Sequence, residues 1–339
     1  MKNLSLLAIL LPTLLVACSD MTDWQDYNDA GWEKNDNEEF HEAIKLYQIA
    51  YEKIHFGVFI DKEGLATLTT NMAATYRALG DYKNAKKFYL ESLNAWEKLV
   101  GKEHENYAII ASNYSLFLEG QNQFEEALKY AKEALSIRKR IYSENNENIV
   151  ISHRALSSIY LNIGHYELAI DHAKSAVTSA VEATGEKSEL AASSELSLGR
   201  AYRTTGDIGA AQKHIANANE IYNSVSPSST WAADTINELA LLEQSVQKYD
   251  LAESNFNRAL DIYLKIYGDN HPNISIMYEN IAVNYADWGR YSDAYTAIQY
   301  SLKIRRLTYG KTHSNTKKIV TLCIYIAELN QVSAEACRD

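Results

Sequence analysis

Ala73-Ala74-Thr75-Tyr76-Arg77-Ala78-Leu79-Gly80-Asp81-Tyr82-Lys83-Asn84-Ala85-Lys86-Lys87-Phe88-Tyr89-Leu90-Glu91-Ser92 is the stretch that decides the fold. Its small residues recur along the chain. The alanine column runs Ala43, Ala85, Ala127, Ala169, Ala211, Ala252 and Ala294, in steps of 42 with a single step of 41. Twelve positions earlier stand Gly31, Ala73, Ser115, Ser157, Gly199, Ala240 and Ala282, and seven positions later Ala50, Ser92, Ala134, Ala176, Ala218, Ala259 and Ser301. A period of this size marks stacked units rather than one closed core.

Small residues kept at fixed places let two antiparallel helices approach closely, while larger apolar residues fill the layers between them. One such column lies three before the alanine: Phe40, Tyr82, Phe124, Tyr166, Ile208, Tyr249 and Tyr291. Just ahead of it stand Gly80, Gly164, Gly206 and Gly289, as a helix C-cap requires. Glu38, Asn122 and Gln247 replace that glycine in repeats one, three and six. Asn122 is compatible with the turn; Glu38 and Gln247 predict slightly altered ones.

The order small, aromatic, Gly, aromatic, Ala, small in Ala73, Tyr76, Gly80, Tyr82, Ala85 and Ser92 resembles the tetratricopeptide repeat. The long period makes it similar to the 42-residue variety found in kinesin light chains. Tyr267-Gly268-Asp269-Asn270-His271-Pro272-Asn273 supports this, echoed by Gly101-Lys102-Glu103-His104 and Gly310-Lys311-Thr312-His313. The resemblance covers residues 23–330 and implies an all-α, right-handed superhelix. Repeats are expected at 23–57, 62–100, 105–143, 147–184, 188–225, 229–267 and 272–309. A capping helix over 315–330 brings the expected total to fifteen helices, and 331–339 reads as a tail.

The N-terminus opens Met1-Lys2-Asn3 and continues with an apolar stretch from Leu4 to Ala17, too short to span a bilayer. Leu15-Val16-Ala17-Cys18 resembles a bacterial lipobox. That resemblance implies a signal peptide at 1–17, lipidation (palmitate among the chains) of Cys18, and a short tether at 18–22. Two or more acyl chains give stable anchoring. Ser19 after the cysteine, rather than Asp, favours the outer membrane by the sorting rule for such lipoproteins, so the expected place is its periplasmic side.

The formal net charge is −11, and loss of Lys2 with the leader leaves the mature chain more acidic still. An acidic surface repels phosphate backbones, which argues against nucleic acid as a partner. Beyond Cys18, Cys323 and Cys337 lie near the C-terminus in a disulfide-permissive compartment. They read either as a staple for the tail or as two inert thiols.

Signs of catalysis are few. The nine histidines are scattered, and His165 with His172 lacks further ligands for a zinc pattern. Metal and cofactor are therefore expected to be absent. His104, His271 and His313 recur within the inter-repeat turn, which points to structure. Ser245-Val246-Gln247-Lys248 matches only a loose Ser-x-x-Lys pattern, without companion motifs. The column Tyr76, Tyr160, Tyr202 and Tyr285 reads as packing between helices. No enzyme is expected.

Tetratricopeptide arrays bind an extended or helical segment along a concave groove lined by first helices. Carried over residue by residue, the early and middle groove holds Asn71, Arg77, Asn113, Arg154, Arg200 and Arg203. The later groove holds Asp234, Glu238 and Glu279. Arginine forks hold carboxylates and asparagine bonds a peptide backbone. One reading has Arg154, Arg200 and Arg203 grip an acidic segment or a C-terminal carboxylate, as kinesin light chains do with acidic cargo. The other has them neutralise neighbours such as Glu119 and Glu195. The expected role is a lipid-anchored adaptor for a protein or peptide; a self-associating structural lipoprotein is the alternative, and oligomeric state is left open.

Overall fold

The computed structural model describes residues 23–37, 39–56 and 61–338. The leader, Cys18 with its tether, and Glu38 lie outside the described residues. Every long element is a helix. Repeat one is α1 (Trp24–Asp36) and α2 (Phe40–Phe56), and repeat two is α3 (Lys62–Ala78) and α4 (Tyr82–Val100). Repeat three is α5 (Glu105–Gly120) and α6 (Phe124–Ile141); repeat four is α7 (Glu147–Asn162) and α8 (Tyr166–Thr184). Repeat five is α9 (Glu189–Thr205) and α10 (Ile208–Val225); repeat six is α11 (Thr230–Ser245) and α12 (Tyr249–Tyr267). Repeat seven is α13 (Pro272–Asp287) and α14 (Tyr291–Tyr309), followed by α15 (Ser314–Leu329) and a short α16 (Glu335–Arg338). The periodicity places the seven pairs correctly. It misses α16, which forms within the segment read as a tail.

All three small columns are buried, and the seven column alanines from Ala43 to Ala294 are completely so. Two glycines show why the columns stay small. A Cβ on Gly31 would lie 2.7 Å from the Tyr47 ring, and one on Gly199 would lie 2.6 Å from Ile215 Cγ1. The Tyr47 ring fills the space at Gly31, and at Gly199 the Ile215 backbone nitrogen also stands only 3.1 Å away, so neither place has room for a larger side chain.

The chain divides into two compact units, 1–117 and 118–339. In the first, α1 pairs with α2 and α3 with α4, and α2 also packs on α3. Its core is aromatic. Tyr76 stacks on Phe88 at 5.4 Å, and Tyr89 contacts Phe117 at the same centroid distance. In the second unit the pairs α7–α8, α9–α10, α11–α12 and α13–α14 each pack on the next. Alanine dominates the early layers (Ala169, Ala173, Ala176, Ala180, Ala191), whereas Phe256, Tyr263, Met277, Ile298 and Leu302 fill the later ones.

The turns explain the glycine column. Gly206 has φ 84°, with its own N–H bonded to Arg203 O and Asp207 N–H to Tyr202 O. Gln247 takes the same path, with φ 63° and matching bonds from Gln247 N–H to Gln244 O and Lys248 N–H to Glu243 O. The expectation of an altered turn there is therefore corrected. The turn keeps its form, and a residue with a Cβ carries the left-handed strain. Asn122, at φ 58°, does likewise and more comfortably.

Capping gives the recurrent histidines their role. Nδ1 of His104, His271 and His313 accepts the backbone N–H of Asn106, Asn273 and Asn315, at 3.2, 3.1 and 3.2 Å. Each thus satisfies a donor left open at the start of a first helix. Asp61, Ser188 and Ser229 cap their helices in the ordinary way. No helix among the described residues is long and apolar enough to cross a membrane.

At the C-terminus, Cys323 of α15 is bonded to Cys337 of α16, with Cα atoms 5.7 Å apart. Arg306 donates to the carbonyl oxygen of Cys337 at 2.8 Å, so the short helix is tied to α14 as well.

Candidate functional site

First helices of successive repeats lie side by side within each unit, and their facing residues decide what the face can hold. In the first unit Asn71 Nδ2 donates to Asn28 Oδ1 at 3.1 Å, so one edge of its carboxamide is already used. Arg77 is exposed on α3 and acts on Tyr89. Asn113 is partly buried on α5.

In the second unit α7, α9 and α11 bring together Arg154, Arg200 and Arg203. The partner of the last two is neither Glu119 nor Glu195 but Glu238, one repeat on. Arg203 donates from Nε and Nη2 to Glu238 Oε2 at 3.2 and 3.1 Å. Arg200 Nε stands 2.8 Å from Oε1 of the same carboxylate. The Glu238 side chain is only 7% exposed, against 42% for Arg200 and 27% for Arg203. Burial works against the Arg200 charge, but Glu238 and Asp234 outweigh it and raise the guanidinium pKa. Asp234 in turn accepts the Tyr263 hydroxyl, while burial raises its carboxyl pKa.

Arg154 is placed differently. Its guanidinium lies 5.6 Å from the Trp231 ring centroid, a cation–π contact. Its Nε is buried with no hydrogen-bond partner. Burial pushes its pKa below the usual guanidinium range; Tyr222 pulls it back up, and the like charge of Arg200 adds a lesser downward push. Unlike Arg200 and Arg203, it has no acid within ion-pair reach among the described residues.

The two acids considered from sequence are engaged elsewhere. Glu119 accepts from Ser158 at 2.5 Å and Asn162 at 2.8 Å, and burial raises its pKa. Glu195 meets His214 Nδ1 at 2.5 Å. Glu279 of the later groove lies 3.7 Å from Arg305. His172 faces His153, not His165, with the two Nδ1 atoms 2.9 Å apart. Among the described residues no group of three or more His, Cys, Asp or Glu could hold a metal ion.

Sequence reasoning places the three arginines on one face and misses that two of them share Glu238. The signal was present: Glu238 stands two before the small column, where other repeats carry Asn71, Asn113 and Asn280. An acid in an amide column announces a charged partner. Trp231 carried no comparable mark.

A tetratricopeptide repeat family model matches residues 64–140, 108–181 and 231–307, more than half of the chain. No curated protein matches the sequence. Among solved structures, the chain is similar to the apo form of RapI, with 17% identity, TM-score 0.65 and coverage of 84% of this chain and 97% of that one. It is similar to the Rap conjugation gene regulator of plasmid pLS20 in complex with the Phr* peptide, at 14% identity and TM-score 0.64, covering 91% and 82%. Aspartyl phosphate phosphatase F from Bacillus subtilis is a third, at 13% identity and TM-score 0.55, covering 85% and 76%. At these identities the likeness concerns the fold alone.

Proposed function

The chain belongs to the tetratricopeptide repeat family, and on that premise we propose that it is a non-catalytic scaffold holding a protein or peptide segment against its first helices. The observation that carries the reading is Arg154, a buried-Nε arginine without an acidic partner, set against Trp231 on α11. An unpaired guanidinium in such a place is costly unless an anion arrives to complete it. The peptide in the pLS20 regulator structure is consistent with this use of the fold.

The Leu15-Val16-Ala17-Cys18 segment supports lipidation at Cys18 and anchoring on the periplasmic side of a bacterial outer membrane. There the protein would recruit or position a client in envelope assembly, secretion, pilus biogenesis or regulated proteolysis.

Crosslinking pull-down from envelopes tests it, comparing the intact protein with Arg154→Glu. The single change is preferable to a triple one, because charge reversal at Arg200 and Arg203 would also strand Glu238. A client retained by the intact chain and lost from the variant is the expected result. Equal capture by both removes the Arg154 face as the binding site. Mass that rises with concentration in the absence of any client would favour a self-associating spacer instead.

A further inference from the structure

Three guanidiniums and two carboxylates meet on α7, α9 and α11, and they are shared unevenly. Glu238 holds both Arg200 and Arg203. Asp234 is engaged by Tyr263. Arg154 alone stands without a carboxylate, its guanidinium over the Trp231 ring. With both acids ionised, the cluster keeps one positive charge uncompensated, and it resides at Arg154.

We infer, resting on the scaffold reading above, that this face takes a single carboxylate flanked by an apolar residue, and that Glu238 is the internal acid that withholds Arg200 and Arg203 from any further one. Glu238 is thus a specificity-determining residue. A lone acid can reach Arg154 without displacing anything, and the apolar residue beside it can lie on Trp231, which is 42% exposed. A second or third acid meets another situation. It must either displace a nearly buried carboxylate from two guanidiniums or settle beside Asp234 and Glu238, where like charges repel. The face therefore discriminates against runs of acids, although it is built around three arginines.

Calorimetric titration with unlabelled peptides tests this on the full mature chain. The probes are acetylated, amidated hexapeptides of leucine, alanine and glutamine in which none, one or three residues are glutamate. One glutamate should tighten binding at least about tenfold over none, whereas three should add less than about twofold. In Glu238→Gln the three-glutamate peptide should gain about tenfold and the one-glutamate peptide should change little. Arg154→Gln should erase the advantage of the first glutamate.

A wild-type chain that prefers three glutamates over one by tenfold, while still depending on Arg154, overturns the inference and leaves the scaffold reading standing. So does a Glu238→Gln chain that binds the three-glutamate peptide no better than the wild type. Peptides that bind neither chain, or bind without regard to Arg154, overturn both. The wild-type comparison needs no variant, so the test holds even if Glu238→Gln folds poorly.

Discussion

In the first unit, neighbouring first helices are tied by a neutral pair, Asn71 to Asn28. Repeats five and six of the second unit use charge at the same column, where Glu238 takes the amide's place and holds two arginines. Repeats six and seven return to amides, with Asn280 donating to Asn237 at 2.8 Å. An amide pair closes on itself and leaves nothing over. An acid answered by arginines brings charge into the face, and Arg154 is the part left unanswered. On the function proposed above, the early repeats serve as scaffold and the middle repeats hold the ligand.

Acid should affect the two units unequally. Burial, with the nearby His172, holds the His153 pKa down to about 4, and His172 is lowered too, by burial and then Lys139. Both folded values lie below the unfolded imidazole value, so the unfolded chain binds more protons beneath it. Their contribution is complete above about pH 6.5 and lost as pH falls, at up to about 1.4 kcal/mol per pH unit for each group. The carboxyls of Glu119, Asp234 and Glu279, raised by burial, take up protons in the folded state before the unfolded chain does as pH falls, and this blunts the loss. Hydrogen exchange at pH 7 and 5.5, corrected for intrinsic rates, should show protection falling around α7 and α8 while α1–α4 hold. Uniform loss across both units would break the comparison.

The next largest effect concerns the acid itself. Arg200→Ala with Arg203→Ala leaves Glu238 nearly buried and unpaired. We expect about 2 kcal/mol of destabilisation in urea unfolding, below the cost for a fully buried pair because both arginines keep solvent contact. Asn71→Ala should cost about 1 kcal/mol, the worth of one hydrogen bond, with no dependence on salt. Salt dependence should appear only for the arginine change. Smallest of all, Gln247→Gly should stabilise by roughly 0.5–1 kcal/mol through relief of the left-handed backbone, and Asn122→Gly by less. Thermal melting resolves both, and a loss at Gln247 would mean that its side chain contributes something the turn geometry hides.

The fold was legible because small residues are costly to replace at helix crossings, so Ala43 to Ala294 announce themselves by period alone. Turn form was half legible. Gly206 could be recognised, but Gln247 looked like an exception and proved to be the same turn under strain. The site was harder to see. Arg203 and Glu238 are 35 positions apart, and Asn28 and Asn71 are 43, distances set by the rotation between repeats rather than by the period. Local sequence offered Glu119 and Glu195 as partners for the arginines, and both answer to other residues. Periodicity fixes which residues line a face, whereas partner choice across it depends on side-chain reach and burial.

The bond between Cys323 and Cys337 closes a loop of chain at the end of the stack. A linear array loosens most readily at its ends, where a unit has one neighbour instead of two. Here the last short helix is hemmed to α15, so it cannot drift free of its neighbour until the bond is reduced. The same protein produced in a reducing cytosol would carry an open hem, with α16 held only by contacts such as the Arg306 bond to Cys337 O.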